Sequence, residues 1–540
     1  MTDHATDAST VIPRVGGPGA GAPDLVPALT VISHPVAGRA GDRALLGELM
    51  SGRAVEISRN QPDFVAPGSV LGKPLTDPFL SRNPMITLSG ALAGTDAGGV
   101  RLVVAGKGVI VGAGAPARES LEIHRAELED GVPIALADRV VVLLHLAPAA
   151  SEPADRLGMV GASAALLRVR RDVERVADLD VPVLIRGETG TGKELVAQAI
   201  HRLGPRRERR FVDVNMAALP RELATAQLFG ARKGAYTGAS GDRDGFFQTA
   251  DRGTLFLDEI GEAPPEVQVL LLRALETGDV YPVGAQSPVA VDVRVLAATD
   301  ADLEARIRDG GFKAPLLHRL AGYEISLPPL RKRRDDIGRL FHHFARQELA
   351  QLGEGHVLEP RDPHAEPWLP AALAMRLVRY DWPGNIRELR NLTRRLVIAS
   401  RGRPAIEIDP RVDELLDATP APAHGAAAIT PAAPADAPAA PGSPGPRRRP
   451  GDVTEDELVT AMRAADWDLK AAADLLGIPR SSVYDLIARS GRLRTAGDLT
   501  AEEITACFHA CDGDLDAMVQ RLEVSRRALQ RRVRELGLRR

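Results

Sequence analysis

A glycine-rich loop set between an apolar run and a helical stretch constrains this chain more than any other feature. Val181-Pro-Val-Leu-Ile185 reads as a buried strand, Gly187-Glu188-Thr189-Gly190-Thr191-Gly192-Lys193-Glu194 as the loop, and Leu195 to Leu203 as the helix. A phosphate-binding loop requires that order. The glycines let backbone N–H groups curl around phosphate oxygens, and the helix N-terminus adds positive potential. Lys193 then reaches the β- and γ-phosphates, and Glu194 stands where Ser or Thr is usual. Downstream, Thr254-Leu-Phe-Leu-Asp258-Glu259 is a buried-strand run ending in two carboxylates. Beside such a loop, Asp258 would hold Mg²⁺ through water and Glu259 would polarise the attacking water. The two elements predict an NTPase of the additional-strand type, with ATP and Mg²⁺ as cofactors.

The rest of the 540 residues divides by composition. Residues 1–27, rich in Gly, Pro, Ala and Asp, read as a disordered lead. From 28 to 148, short β-like runs (LTVI, AVEIS, MITL, VRLVV, GVIVG, RVVVLLHL) broken by Gly, Pro and Asp predict an all-β sandwich. From 156 to 329 strands alternate with helices, the mark of a parallel α/β sheet. A helical lid is expected over 330–405. An Ala/Pro-rich linker is expected over 406–450; from 418 to 450, 24 of 33 residues are Ala, Pro or Gly. Such a stretch buries too little apolar surface to fold. The last ninety residues repeat themselves at an offset of 46: Thr454 meets Thr500, Glu457 meets Glu503, Leu469 meets Leu515, and Gly491 meets Gly537. Two copies of one helix–turn–helix–turn–helix unit follow, over 451–493 and 497–540.

Charge is nearly balanced at −4, which argues against a generic nucleic-acid coat and leaves a localised basic surface open. Residues 521–540 supply one, with eight Arg against two Glu. Two cysteines, Cys507 and Cys511, exclude a disulfide framework and a cysteine zinc site, and read as core rather than as a redox pair. Without a long apolar run or a signal-peptide pattern, no membrane partner is expected and the default compartment is the cytoplasm.

From about Arg156 to Ser400 the chain resembles the central AAA+ domain of bacterial enhancer-binding proteins, the activators of sigma-54 RNA polymerase. The resemblance rests on GETGTGKE (187–194), FVDVNMAAL (211–219), LFGARKGAYTGA (228–239), GTLFLDEI (253–260), RVLAAT (294–299), LPPLRKRRDDI (327–337) and WPGNIREL (382–389). Glu after the loop Lys is this family's own habit. The resemblance implies that Gly234-Ala235-Tyr236-Thr237-Gly238-Ala239 is the loop that presses on the sigma factor, with Tyr236 in place of the usual Phe. It implies that Asn215 restrains Glu259 until the sigma factor engages and that Thr299 lies at the nucleotide. It makes Arg387 the sensor arginine of the lid, and Arg319 an arginine finger reaching into a neighbouring subunit of a ring, a hexamer by family habit. Three nearby positions depart from the pattern. Lys313 sits where the second finger is expected, Pro315 replaces Asp, and Asp300 replaces Asn. A Lys cannot make the bidentate contact of an Arg.

The flanks carry two further resemblances. WDLKAAADLLGIPRSSVYDLIARSG (467–491) is similar to the Fis-type helix-turn-helix, which implies that Arg480, Ser481, Ser482 and Tyr484 enter the major groove of double-stranded DNA. The second copy lacks the turn Gly but offers Arg526, Arg527, Arg531 and Arg532 for phosphate and base contacts. Residues 28–148 resemble a forkhead-associated (FHA) domain. Ser58-Arg59 stands for Gly-Arg, and Leu80-Ser81-Arg82-Asn83-Pro84 for the Ser-Arg-x-His motif; Lys107-Gly108 replaces Asn-Gly. The resemblance implies a phosphothreonine-bearing protein or kinase as partner, held by Arg59, Ser81 and Arg82 through charge-assisted hydrogen bonds. The resulting expectation is an ATP-driven activator of sigma-54 polymerase bound to upstream DNA. The alternatives are a generic AAA+ remodelling ATPase and a non-hydrolysing DNA-binding scaffold or repressor.

Overall fold

The computed structural model describes residues 25–90, 99–112, 115–116, 120–149, 156–235, 241–359, 362–417, 454–465, 467, 469–476, 499–511, 514–522, 524, 529, 532–533 and 536. The chain divides into two units after His424.

The first unit opens with twelve strands: β1 (Leu25–Ser33), β2 (Arg43–Leu45), β3 (Val55–Ile57), β4 (Phe64–Val65), β5 (Gly72–Lys73), β6 (Ile86–Ser89), β7 (Gly99–Val104), β8 (Val109–Val111), β9 (Ala115–Pro116), β10 (Ser120–His124), β11 (Val132–Leu136) and β12 (Val140–Pro148). They form an eight-stranded sheet in the order β5-β4-β2-β1-β12-β11-β8-β9 and a four-stranded sheet in the order β10-β7-β6-β3. The short helix α1 (Arg125–Asp130) joins β10 to β11. Leu29, Val31, Val140, Val142 and Leu144 of the larger sheet share a core with Ile57, Ile86, Leu88, Leu102 and Ile123 of the smaller one. The runs LTVI and RVVVLLHL show no polar alternation because their other faces are buried too. Ile32, Val141 and Leu143 point the opposite way and join a core that otherwise belongs to the lid.

The central region contains α2 (Ala164–Val176), β13 (Val183–Arg186), α3 (Lys193–Leu203), β14 (Phe211–Asn215), α4 (Arg221–Phe229), α5 (Phe246–Thr249), β15 (Thr254–Asp258), α6 (Pro265–Thr277), the hairpin β16 (Asp279–Val280)–β17 (Val289–Ala290), β18 (Arg294–Thr299), α7 (Leu303–Arg308), α8 (Ala314–Leu320) and β19 (Tyr323–Ser326). Its sheet runs β14-β15-β18-β13-β19, with every neighbouring pair parallel. β18 lies between the strand that feeds the glycine loop and the strand that ends in Asp258, which is the additional-strand arrangement. Both faces are covered, one by α2 and α3 and the other by α4, α6 and α8, so Leu184, Leu255, Leu257 and Ala297 look into one core and Val183, Ile185, Phe256 and Leu296 into the other.

The lid consists of α9 (Ile337–Leu352), α10 (Ala371–Arg379), α11 (Asn385–Ala399) and α12 (Pro410–Asp417). The last corrects the expected boundary at 405. Val412 and Leu416 are buried in the lid core and Arg376 is paired with Asp413, so 410–417 is lid and not linker. Lid and sandwich share one core: Ile32, Ala135, Val141 and Leu143 pack with Ile337, Leu340, Phe341, Leu373, Ala374 and Trp382. Gly338 makes the approach possible, since a Cβ there would come within 2.8 Å of the Ile32 Cα and closer still to its carbonyl oxygen.

Between β19 and α9, six consecutive charged side chains go to different neighbours. Arg331 binds Glu188 of the glycine loop and Lys332 lies 3.3 Å from Asp130 of α1. Arg333 pairs with Asp336 and donates to the Val160 carbonyl. Arg334 holds Asp381 and the Val378 and Tyr380 carbonyls. Asp335 accepts from Arg43 of β2 at 2.9 Å, and Asp336 accepts from the Ala162 and Ser163 amides.

In the second unit the described helices are Glu455–Ala464, Leu469–Leu476, Ala501–Ala510 and Leu515–Leu522. The second pair repeats the first at a spacing of 46. Thr454 with Glu457 and Thr500 with Glu503 form equivalent capping boxes, each threonine hydroxyl accepting from the amide three residues on. The pairs share a core that includes Leu458, Trp467, Ala472, Ile504, Cys507 and Met518. Cys507 and Cys511 are free, their sulfurs 3.9 Å apart.

Candidate nucleotide site

The loop leaves β13 at the carboxyl end of the sheet, where parallel strands place their ligands. Gly190 and Gly192 adopt φ of +79° and +99°, which L side chains rarely tolerate. Gly190 is also hemmed in: a Cβ there would lie 3.1 Å from the Arg387 Cβ and 3.3 Å from the Gly384 carbonyl carbon. The Gly187 amide donates to the Thr299 carbonyl at the end of β18, and the buried Thr299 hydroxyl accepts from the Ala301 amide. Thr191 Oγ1 donates to the Glu188 carbonyl.

Lys193 begins α3 and is nearly buried; its Nζ donates to the Gly187 carbonyl at 2.9 Å and lies 3.5 Å from Glu259 Oε1. Glu259 itself sits at φ +52°, a strained backbone for a side-chain-bearing residue and one of the outliers that cluster at functional sites. Asp258 Oδ1 accepts the Glu259 amide at 3.0 Å. Burial raises the Glu259 carboxyl above its ordinary range; Lys193 opposes the rise and Asp300 adds to it. The Thr189 hydroxyl donates to Asp300 and holds that carboxyl low.

Asn215 ends β14. It pairs with Asp258 across β14 and β15, but its side-chain oxygen caps the next turn by accepting from the Ala217 and Ala218 amides. Glu259 faces Lys193 and Asp300 instead. Glu194 is exposed and accepts from Gln198. Lys313 caps α8 through its backbone, whose amide donates to Gln268; it and Arg319 are exposed, and Arg319 Nε donates to the Leu275 carbonyl. Arg387 sits in the first turn of α11 with its amide directed at the Gly190 carbonyl.

No group of three or more His, Cys, Asp or Glu among the described residues would hold a metal by itself. That fits Mg²⁺, which keeps several waters and takes one or two carboxylates plus phosphate oxygens. Asp258 would be the carboxylate. Asp213 lies near it, and its own carboxyl is raised by burial and by the charges of Glu194 and Asp258.

Sequence reasoning missed the cavity beside the loop. It is lined by Met159, Val160, Leu195, Leu327, Phe344 and Ile386, among others, and mostly apolar. Its walls come from six separate stretches, 158–160, 166–169, 191–195, 327–333, 340–344 and 386, so no local pattern announces it. The reading also missed Asn385, although an Asn before a helical run is among the few residues that tolerate its φ of +53°.

The remaining sites fall partly outside the described residues. Gly234 and Ala235 stand on a base held by the Ala231–Arg243 bridge and by Asp242, which binds Arg232 and the Lys233 amide; Tyr236, Thr237, Gly238 and Ala239 lie outside the described residues. Arg480, Ser481, Ser482, Tyr484, Arg526, Arg527 and Arg531 also lie outside the described residues, and Arg532 is half-buried. In the sandwich, the Arg59 amide donates to the Ser81 carbonyl, which brings Arg59, Ser81 and Arg82 to one end.

A glycine loop on a central parallel strand, an Asp-Glu pair two strands away and a helical lid touching the loop define an AAA+ ATPase. Residues 331–426 match the AAA+ ATPase lid domain, and residues 159–326 match the Sigma-54 interaction domain. The chain is 45% identical over 263 residues to the DNA-binding transcriptional regulator NtrC of Klebsiella pneumoniae, covering 49% of this chain and 53% of that one. It is 40% identical over 348 residues to the nitric oxide reductase transcription regulator NorR1 of Cupriavidus necator, covering 64% and 66%. The chain thus spans about half the length of the first relative. The solved NtrX of Brucella abortus in complex with ADP is 28% identical, with a TM-score of 0.43, over 71% of this chain and 70% of that chain. No described helix is long and apolar enough to cross a membrane.

Proposed function

We propose that the chain is an ATP-driven activator of sigma-54 RNA polymerase. The observation that carries this reading is the Sigma-54 interaction match over a site with Lys193, Asp258 and Glu259 in place. The apolar cavity would take the adenine, and the loop amides and Lys193 the phosphates. Bound Mg²⁺, reached from Asp258 through water, would supply charge neutralisation at the phosphates. Glu259 would orient and deprotonate the attacking water. Arg319, exposed on α8, would complete a neighbour's site in a ring, most simply a hexamer. Lys313 would stand there as a point charge where a second fork would otherwise sit. The loop from Gly234 to Ala239 would carry the stroke to the sigma factor, with Tyr236 and Thr237 as its contacts.

The C-terminal repeats would tether the ring to upstream double-stranded DNA through Arg480, Ser481, Ser482 and Tyr484 in one copy and Arg526, Arg527, Arg531 and Arg532 in the other. The N-terminal sandwich would act as an FHA-like reader, with Arg59, Ser81 and Arg82 holding a phosphothreonine; the convergence of these residues at one end supports that assignment. An array of phosphothreonine peptides tests it, since binding should depend on both Arg59 and Ser81.

ATP-dependent promoter opening by sigma-54 polymerase tests the central claim. The native chain should open the promoter. Thr237→Ala should hydrolyse ATP without opening, and Glu259→Gln should bind ATP without hydrolysing it. Full opening by Thr237→Ala would overturn the loop mechanism. A native chain without ATPase activity would favour a scaffold.

A further inference from the structure

Glu188 lies inside the phosphate loop, yet its carboxylate is committed to the lid. Arg331 grips it with both ends of its fork, at 2.9 and 2.5 Å, and Asn385 Nδ2 donates to it at 3.1 Å. Asn385 is fully buried and uses the rest of its amide on the same junction: Nδ2 also donates to the Thr189 carbonyl at 3.1 Å, and Oδ1 accepts from the Leu330 amide at 2.8 Å. The backbone repeats the connection, since the Ile386 and Arg387 amides both point at the Gly190 carbonyl. Three successive loop residues, 188 to 190, are therefore held by the lid.

The charges matter as much as the bonds. A loop that binds polyphosphate should not carry an uncompensated carboxylate, and Arg331 is the cation that meets Glu188. The planar fork fits a carboxylate bidentately, which fixes direction as well as charge.

We propose that Glu188 and Arg331 are positioning residues for the nucleotide. Their ion pair, seated by Asn385, fixes the lid against the phosphate loop, and Arg331 cancels a negative charge that would otherwise repel the triphosphate. The pair touches no reacting atom. The proposal rests on the reading of this site as an ATP site.

The two functions of the pair predict an asymmetry that a merely structural contact would not produce. Removing Arg331 leaves Glu188 as a bare anion beside the phosphates. Replacing Glu188 by Gln loses the ion pair but leaves a cation, not an anion, beside the phosphates. In the full-length chain, Arg331→Met should weaken fluorescent ATP-analogue binding roughly three- to tenfold, and ADP-analogue binding less. Glu188→Gln should weaken it less than Arg331→Met. The double variant, with neither charge, should recover most of the loss seen in Arg331→Met. Thermal unfolding without nucleotide serves as the folding check, and Glu188→Gln, which keeps the side-chain shape, serves if Arg331→Met does not fold. Equal ATP binding by the native chain and Arg331→Met would overturn the proposal, as would additive losses in the double variant. Failure of the native chain to bind nucleotide, with Lys193→Ala as the blank, would instead sink the ATP reading itself.

Discussion

Gly338→Ala offers a test in which even the sign is informative. Gly338 is the second residue of α9, and Gly to Ala at a helical position ordinarily stabilises by up to about 1 kcal/mol. Here the added methyl would lie 2.8 Å from the Ile32 Cα and 2.9 Å from its carbonyl carbon. Both belong to the backbone of β1, at the irregularity between Val31 and Ser33 in a strand otherwise paired with β2 and β12. Relief requires α9 to move off the sheet, which opens the core that Ile32, Val141 and Leu143 share with Leu340 and Phe341. Overpacking of this kind costs typically about 1–3 kcal/mol, enough to outweigh the propensity gain. The expected result is a lower urea midpoint for the first unit and a fall in Tm of a few degrees. A rise in Tm would show that sandwich and lid are not joined as described.

Three further outcomes follow from the same contacts. Burial and Asp300 raise the Glu259 carboxyl, so Asp300→Asn should lower it, and the acid limb of the ATPase pH profile should move to lower pH; an unmoved limb would separate Asp300 from the base. Asp335 is buried beside Asp336, which pushes its carboxyl from 3.8 to about 7. The fold therefore holds a proton there that the unfolded chain has lost, so this group's contribution falls as pH rises from about 4 to about 7, by up to about 1.4 kcal/mol per unit. Across that window the native chain should lose urea midpoint relative to Asp335→Asn, and the two should run parallel above it, whereas a constant difference from pH 5 to 7.5 would mean an ionised Asp335 throughout. Gly190→Ala should abolish nucleotide binding, through its positive φ and the nearness of Gly384 and Arg387; tight binding by that variant would contradict the loop geometry.

The legible parts of this molecule were those where local chemistry and global role coincide. Glycines at 187, 190 and 192, an apolar strand ending in Asp258-Glu259 and five apolar runs in the α/β region announce themselves because backbone curvature, phosphate binding and sheet burial each demand particular residues. The repeat was legible because Thr454 and Thr500 cap their helices in the same way. Strands of two or three residues, such as β4 and β5, left no periodicity to read. Long-range pairings also escaped. Nothing near Asn215 says that its oxygen is spent on a turn, and nothing in Arg-Lys-Arg-Arg-Asp-Asp says that each side chain has its own destination. Val412 and Leu416 looked like linker because only the rest of the lid gives them somewhere to be buried.

The core shared by the sandwich and the lid bears on how such a chain could have been assembled, or could be rebuilt. A domain joined to a motor by a tether can be exchanged like a plug. This one cannot, because a cut made between β12 and α2 would leave Ile337, Leu340 and Phe341 facing water, and the orphaned sandwich would expose Ile32, Val141 and Leu143. A donor sandwich would have to bring that apolar face, an opening for Gly338 and a cation at the position of Arg43. Sandwich and ATPase thus form one part, and the unit of exchange in this chain is larger than the unit of fold.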